Sequence, residues 1–182
     1  QAETLRCDLV EHNFLRVLGG SVALGRDFVP EDDVRGAPPV ALISHALWVR
    51  RYGADPGVTG RTLNLETGLA PAQEVPIIGV LPPEFEMPAE SADILLPSRL
   101  RYPRFPIPTL VMAFARLKPG MTPERAELML AGQVPEMQKF FPPSARVAWK
   151  VQLVRDRRMG DAARVGWLLI GAVAIFLLIA CV

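Results

Sequence analysis

The chain has 182 residues, of which 50% are hydrophobic and 21% charged, and its 20 basic and 19 acidic side chains nearly cancel to a net charge of +1. This balance argues against a nucleic-acid-binding protein, because such a protein carries an excess of positive charge on one face. Two cysteines give no disulfide framework, two histidines exclude a histidine-rich catalytic metal site, and no ATP-binding P-loop motif is present, so we predict no cofactor.

The first part of the chain predicts two short helices and a strand. Residues 13–18 are predicted to form a helix that Gly19 ends, because glycine favours the left-handed conformation found at helix C-termini. The apolar run at 40–43 is typical of a strand. Ser44 then offers a side-chain oxygen to cap a helix over 45–52.

The middle of the chain predicts strands, which we place at residues 61–65, 74–81, 93–96 and 110–117. The first of them alternates polar and apolar residues, as a half-buried strand does. Its connection to the second contains Thr67 and Gly68 and looks longer than a tight two-residue turn. We therefore predict an irregular hairpin at this point.

The last third predicts a helix and then a strand. Thr122 as a cap followed by Pro123 indicates a helix start, and we predict that the helix runs to about residue 140. The apolar residues that we expect on its core-facing side are Ala126, Leu130, Val134 and Met137, with Met129 filling gaps. Alternating apolar residues over 147–154 then predict a strand.

Four acidic residues cluster early in the chain, at Asp27, Glu31, Asp32 and Asp33. They could be taken for a calcium-binding loop, but their spacing does not match the EF-hand pattern. We predict a solvated acidic turn, because clustered charges usually face water.

The remaining reactive side chains do not predict an enzyme. His45 with Arg50 and Arg51 could suggest an anion site, but a surface helix accounts for all three without a nucleophile or paired base. Nothing near Cys7 indicates a lowered pKa. Glu84, Glu86, Glu90 and Asp93 could be proposed as the source of a glycosidase carboxylate pair. They lie in a proline-rich segment, which we predict to be an exposed loop.

The end of the chain is the most specific signal, because residues 165–182 carry no charge. A helix of this length spans about 27 Å, close to the roughly 30 Å hydrocarbon core of a bilayer. We predict an extracytoplasmic domain over 1–156, then a basic link and the start of a transmembrane helix over 157–182. The residues assigned to it are Arg164 and Trp167 at the membrane interface, and Val165, Gly171, Phe176 and Cys181 within the span.

Two further expectations concern the two ends of the chain. The arginines just before the apolar run would, taken alone, favour a cytoplasmic side for its N-terminal end. The chain has no initiator methionine and stops inside the apolar run, so we expect it to be a fragment of a longer protein.

A series of short motifs, met in one order along the chain, resembles one known family. The motifs lie at residues 13–19, 25–28, 31–33, 40–44, 47–48, 50–53, 55–56, 60–63, 78–85 and 115–122, with a last one at 177–182. The series is similar to the MacB-like periplasmic core domain, and the last motif resembles the start of an FtsX-like permease segment.

The resemblance implies an α+β domain, followed by a transmembrane helix, in a permease subunit of an ABC transporter of the bacterial cytoplasmic membrane. Within that class, the chain resembles most the stand-alone permeases with duplicated FtsX-like domains. The soluble part would lie outside the cytoplasm, on the periplasmic or extracellular side, and would transmit ATPase-driven motion for export or efflux.

The partners that the resemblance implies are a separate ATPase subunit, a second permease in a homodimer or pseudo-dimer, and membrane lipid. It implies no catalytic residue. Two other functions stay open at this point, a membrane-anchored hydrolase and a single-pass sensor or adhesion domain.

Overall fold

The computed structural model describes residues 3–67, 70–88, 91–99, 112–139, 141 and 146–155. The chain divides into two compact units, residues 1–116 and residues 117–182. The first unit contains the elements β1 (Cys7–Val10), α1 (Phe14–Leu18), β2 (Leu24–Gly25), β3 (Ala41–Ile43), α2 (His45–Tyr52), β4 (Thr62–Thr67), β5 (Ala70–Val80) and β6 (Ile94–Pro97). The second contains α3 (Pro123–Ala131) and α4 (Val134–Gln138).

The described strands form one mixed sheet in the first unit. Its order is β1-β6-β3-β5-β2, and β4 pairs with the earlier part of β5. The pairs β1–β6 and β3–β5 are parallel, whereas β3–β6, β2–β5 and β4–β5 are antiparallel. A mixed sheet with helices outside it is an α+β fold, so this part of the fold prediction is confirmed.

The sheet is buried on both faces, as β3 shows. Ala41 and Ile43 belong to one core cluster and Leu42 to another, because successive side chains of a strand point to opposite faces. All three are fully buried. Burial on both faces explains why this strand is a continuous apolar run instead of an alternating one.

Helix α2 forms as its local sequence predicts. The Ser44 hydroxyl accepts a hydrogen bond from the Leu47 backbone N–H at 3.1 Å, which satisfies one of the free donors of the first turn. At the other end Gly53 adopts a left-handed conformation with φ of 60°. The Leu47 side chain is completely buried and joins the first cluster, so the capped helix is fixed against the sheet.

The β4–β5 hairpin is tighter than predicted. Thr67 pairs with Ala70, so only residues 68 and 69 separate the two strands, and the prediction of a longer connection is wrong. The register shifts between Leu65 and Thr67, which accommodates an extra residue within the ladder. This shift, instead of a long loop, accounts for the irregular sequence.

The predicted helix over 123–140 is two helices. Thr122 caps α3, accepting from the Arg125 N–H at 3.3 Å, as predicted. The helix ends at Ala131, and α4 begins at Val134 with Pro135 in its first turn. Proline has no N–H to donate to the carbonyl four residues earlier, so a continuous helix through this position would lose a hydrogen bond and clash.

The predicted core face of this helical segment is borne out only in part, because Ala126, Val134 and Met137 are half-buried and Leu130 is exposed. No described residue of α3 or α4 is buried. Met129 is 64% exposed and Leu130 is 37% exposed, so neither fills a gap in a core. Helical spacing of apolar residues defines a face, but it does not say whether another element covers that face.

Two predicted strands are absent from the described residues. Neither 112–117, the described part of the strand predicted over 110–117, nor the strand predicted over 147–154 forms a ladder there. The alternation itself is correct in the later segment, where Val147, Trp149, Val151 and Leu153 are half-buried and the residues between them are exposed. Val151 donates its N–H to the Glu127 carboxylate at 3.1 Å instead of to a neighbouring strand.

Candidate functional site

Four of the charged residues singled out from the sequence, Asp32, Asp33, Arg50 and Asp93, lie at the two ends of the β1–β6 pair. These strands run parallel, from Cys7 opposite Ile94 to Val10 opposite Pro97, so both start at one end and finish at the other. We call the polar group where they finish the end clamp (Arg26, Asp32, Asp33 and Arg99). The group where they start is the start clamp (Glu3, Arg6, Arg50 and Asp93).

Asp33 joins the two chain segments that leave β1 and β6. Its carboxylate accepts the backbone N–H of His12 at 2.9 Å and that of Arg99 at 2.6 Å. The Ser98 hydroxyl also donates to it, at 3.3 Å. One carboxylate therefore satisfies backbone donors that have no ladder partner where the strands end.

Asp32 is the buried polar residue among the described residues of the first unit, with only 9% of its surface exposed. Arg26 donates to both of its oxygens, at 2.6 and 3.1 Å, and the Val29 N–H donates at 3.0 Å. The Arg26 hydrogen bond is the main cause that lowers the pKa of Asp32, with smaller contributions from Val29 and the Arg99 charge. The carboxylate is held ionised by its partners.

Arg99 completes the end clamp with an unusual backbone. Its φ is 52°, a left-handed conformation that costs energy in a residue with a side chain. Its side chain donates to the Pro38 carbonyl at 2.7 Å and to the Asp32 carbonyl at 3.4 Å, and its N–H is held by Asp33. These three contacts offset the strain.

The prediction of a solvated acidic turn is therefore wrong for three of its four members. Asp32 and Asp33 lie inside the end clamp, and only Glu31 is exposed as predicted. Asp27 accepts the Phe28 N–H at 2.7 Å, and partial burial raises its pKa. Within the described ranges, no group of three His, Cys, Asp or Glu residues could hold a metal ion.

The start clamp is built around Asp93. Its carboxylate accepts the Arg6 backbone N–H at 3.1 Å and a hydrogen bond from Arg50 at 3.4 Å. Arg50 also pairs with Glu3 at 2.8 Å. The clamp thus ties the chain entering β1 both to the residue before β6 and to α2.

The predicted carboxylate loop has three other members. Glu84 and Glu86 are exposed, as predicted, and Glu90 lies outside the described residues. Asp93 itself is half-buried and bonded, so the prediction of an exposed loop is wrong for this residue.

The remaining candidate residues, His45, Arg51 and Cys7, lie in surroundings that do not indicate catalysis. The His45 ring contacts Trp48 edge-on at 5.5 Å, and Arg51 lies 6.0 Å from the Tyr52 ring. The Cys7 thiol is exposed, and its pKa is raised by partial desolvation, with the nearby Asp93 and Asp8 charges adding to the shift. A raised pKa keeps the thiol protonated at neutral pH, which lowers its reactivity as a nucleophile.

The predicted membrane residues lie outside the part of the chain that the structure describes, namely Arg164, Val165, Trp167, Gly171, Phe176 and Cys181. Among the described residues, no helix has the length and apolar character needed to cross a bilayer.

Sequence reasoning missed the two arginines of the end clamp. Arg99 is 66 residues from Asp33, and no local pattern indicates that contact. The bonded role of Asp32 could have been predicted, because Pro30 followed two residues later by an acid is typical of a helix start. In the structure Pro30–Asp33 is a short 3₁₀ helix, and the Asp32 carboxylate bonds back to the Val29 N–H.

The comparison with protein families agrees with the resemblance in the sequence. The model of the MacB-like periplasmic core domain family matches residues 3–131, which include the described sheet, both clamps and α3. No curated protein matches the chain. Among solved structures, a domain of a Porphyromonas gingivalis protein assigned as a permease aligns with a TM-score of 0.49 and 24% identity, over 87% of this chain and 74% of that one. On the family match, the chain belongs to the MacB-like periplasmic core domains.

Proposed function

We propose that the chain is the extracytoplasmic part of an ABC transporter permease subunit and transmits ATPase-driven motion across the membrane for export or efflux. The family match over residues 3–131 carries the proposal. The site chemistry is consistent with it, because the carboxylates of both clamps are engaged by backbone N–H groups and arginines. The proposed role is mechanical and not catalytic.

The architecture around β1 suits the transmission of force. This strand is joined to β6 by a parallel ladder from Cys7 to Val10, and a clamp holds the chain at each end of that ladder. A pull along β1 would load the ladder and clamp bonds together instead of opening them one at a time. Motion of the N-terminal segment would therefore move the sheet as a body.

The membrane attachment belongs to the same proposal. Residues 165–182 would enter lipid, with Arg164 and Trp167 at the interface, because an uncharged run of this length suits the hydrocarbon core and tryptophan suits its boundary. Residues 157–164 would form a short basic link below a domain that covers 1–156. The protein would lie in the bacterial cytoplasmic membrane, with a separate ATPase and a second permease or permease half as partners.

A flexible insert tests this proposal. Several Gly and Ser residues placed next to Gly160 in the full-length permease should leave ATP hydrolysis in place and reduce export, because a slack link cannot carry displacement. The same insert at Gly36, where a Cβ would meet nothing within 4 Å, is the matched control for folding and insertion. Export that continues unchanged with the Gly160 insert would overturn the proposal.

A further inference from the structure

The first unit ends at Arg116, whose side chain is fixed on helix α1. Its guanidinium donates to the Val17 carbonyl from Nε at 3.2 Å and from Nη2 at 3.0 Å. The two residues are 99 positions apart in the chain, so this contact closes a long loop back onto a helix near the N-terminus. The second unit begins at the very next residue.

The Val17 carbonyl is one of the groups that the end of α1 leaves available for such a contact. The carbonyls of a last helical turn have no partner within the helix and need one outside it. Gly19 donates its N–H to the Arg16 carbonyl at 3.1 Å, and Gly20 donates to the Leu15 carbonyl at 2.8 Å. The guanidinium of Arg116 takes the Val17 carbonyl and completes this cap.

Gly19 leaves room for the guanidinium. Its φ of 78° is left-handed, and a Cβ at this position would lie 2.5 Å from Nη2 of Arg116. Gly53 provides a matched comparison, because its φ of 60° is also left-handed but nothing lies within 4 Å of its Cβ position. Any side chain at residue 19 would therefore displace Arg116, whereas one at residue 53 would only strain the backbone.

A second contact lies two residues before Arg116. The Phe114 ring meets the Phe14 ring edge-on, with centroids 5.9 Å apart and an interplanar angle of 73°. Two residues of one segment thus hold the same short helix. On α1 the Leu15 side chain is 1% exposed and belongs to the second core cluster, so the helix is itself fixed in the core of the unit.

We propose that Arg116 is a positioning residue at the end of the first unit: it fixes the chain to α1, so that displacement of the chain at Leu117 is passed through α1 into the sheet core. The inference rests on the proposed function, because it names where the transmitted motion enters the first unit. Gly19 is the second part of this device, since a Cβ at this position would push Nη2 of Arg116 away from the Val17 carbonyl.

The contact itself is tested by hydrogen exchange in the 182-residue chain. Replacing Arg116 by Ala should speed exchange at the Gly19 and Gly20 amides by about threefold to tenfold, since an exposed charged hydrogen bond contributes less than a buried one. R116K, which keeps the charge and one donor direction, should restore part of the protection. Unchanged exchange in R116A would overturn the proposal.

A second arm separates the Arg116 contact from backbone strain. G19A should give exchange around Val17 at least as fast as R116A, because it adds backbone strain to the loss of the contact, and adding R116A to G19A should change the exchange little, because both remove one contact. G53A, which carries only the strain, should leave exchange at residues 17–20 unchanged. Full additivity of G19A and R116A would contradict the assigned contact.

The coupling is tested in the full-length permease with its ATPase. R116A should retain ATP hydrolysis and membrane insertion but lose about tenfold or more of export per ATP, with partial recovery in R116K. If export is unchanged in R116A while the Gly160 insert abolishes it, this inference fails and the proposed function stands. If the Gly160 insert has no effect, the proposed function fails, and the inference fails with it.

Discussion

Replacing Asp32 by Ala should destabilise the first unit by about 2–3 kcal/mol. The substitution removes two hydrogen bonds from Arg26 and one from the Val29 N–H, in a site that is 9% exposed. A hydrogen bond to a buried charged group contributes roughly 1.5–3 kcal/mol, but the Arg26 side chain is 49% exposed and recovers water when its partner is lost. The Arg26 ion pair is therefore assigned the small free energy of a surface ion pair, and the Val29 hydrogen bond is assigned nearly the full free energy of a buried charged hydrogen bond.

The matched control is Glu31, which lies in the same 3₁₀ helix and is exposed. E31A should change stability by no more than about 0.5 kcal/mol. R26A should cost less than D32A, because it leaves the Val29 bond and the Arg99 charge beside the carboxylate. The double variant should cost less than the sum of the two single variants, since both remove one ion pair.

Trp48 is a suitable reporter for this measurement, because it packs against the first core cluster and donates its indole N–H to the Asp55 carbonyl at 2.8 Å. Replacing Trp149 and Trp167 by Phe leaves it as the single tryptophan, so denaturant unfolding followed by fluorescence reports on the first unit. A D32A variant as stable as E31A would refute the assignment of Asp32 to a buried clamp.

Three further predictions use the same assay. The partners of Asp32 lower its pKa in the folded state, so its contribution to stability is present above the unfolded pKa of about 3.8 and is lost as the pH falls through the folded pKa. The difference in unfolding free energy between wild type and D32N should therefore narrow below about pH 4, and a difference that stays constant with pH would contradict this. L47A should cost about 2–5 kcal/mol, because the side chain is fully buried, whereas V49A on the 47% exposed side of α2 should cost little; equal effects would disprove the core assignment. G25A should be far more destabilising than G36A, because both have positive φ but only a Cβ at residue 25 would meet backbone, 2.2 Å from the Ile78 carbonyl oxygen; similar midpoints would count against the β2–β5 pairing.

The elements that local sequence could predict are those with signals at both ends. Helix α2 has a serine before it and a glycine after it, and both act in the structure as those residue types predict. Strand β3 was equally clear, since an apolar run of this length followed at once by a helix cap leaves little choice of conformation. In both cases neighbouring residues carry the necessary information.

The predictions that were wrong depend on contacts with residues or elements far away in the sequence. The acidic turn looked solvated because Asp33 finds its Arg99 partner 66 residues later. Periodicity predicted strand character over 147–154 and a core face on α3, but pairing and burial require a second element, which periodicity does not identify. Pro135 was the missed local signal, since a proline inside a helical pattern interrupts it.

The two cysteines offer the most direct test of an outward-facing domain attached to a membrane helix. Membrane-impermeant maleimide is applied to intact spheroplasts carrying the full-length permease, at mildly alkaline pH because the pKa of Cys7 is raised, with C7S and C181S variants to assign the label. The account predicts that exposed Cys7 is labelled in intact cells and that Cys181 is labelled only after the membrane is dissolved and the protein denatured. Labelling of Cys7 only after the membrane is opened, or labelling of Cys181 as readily as Cys7 in the native protein, would contradict it.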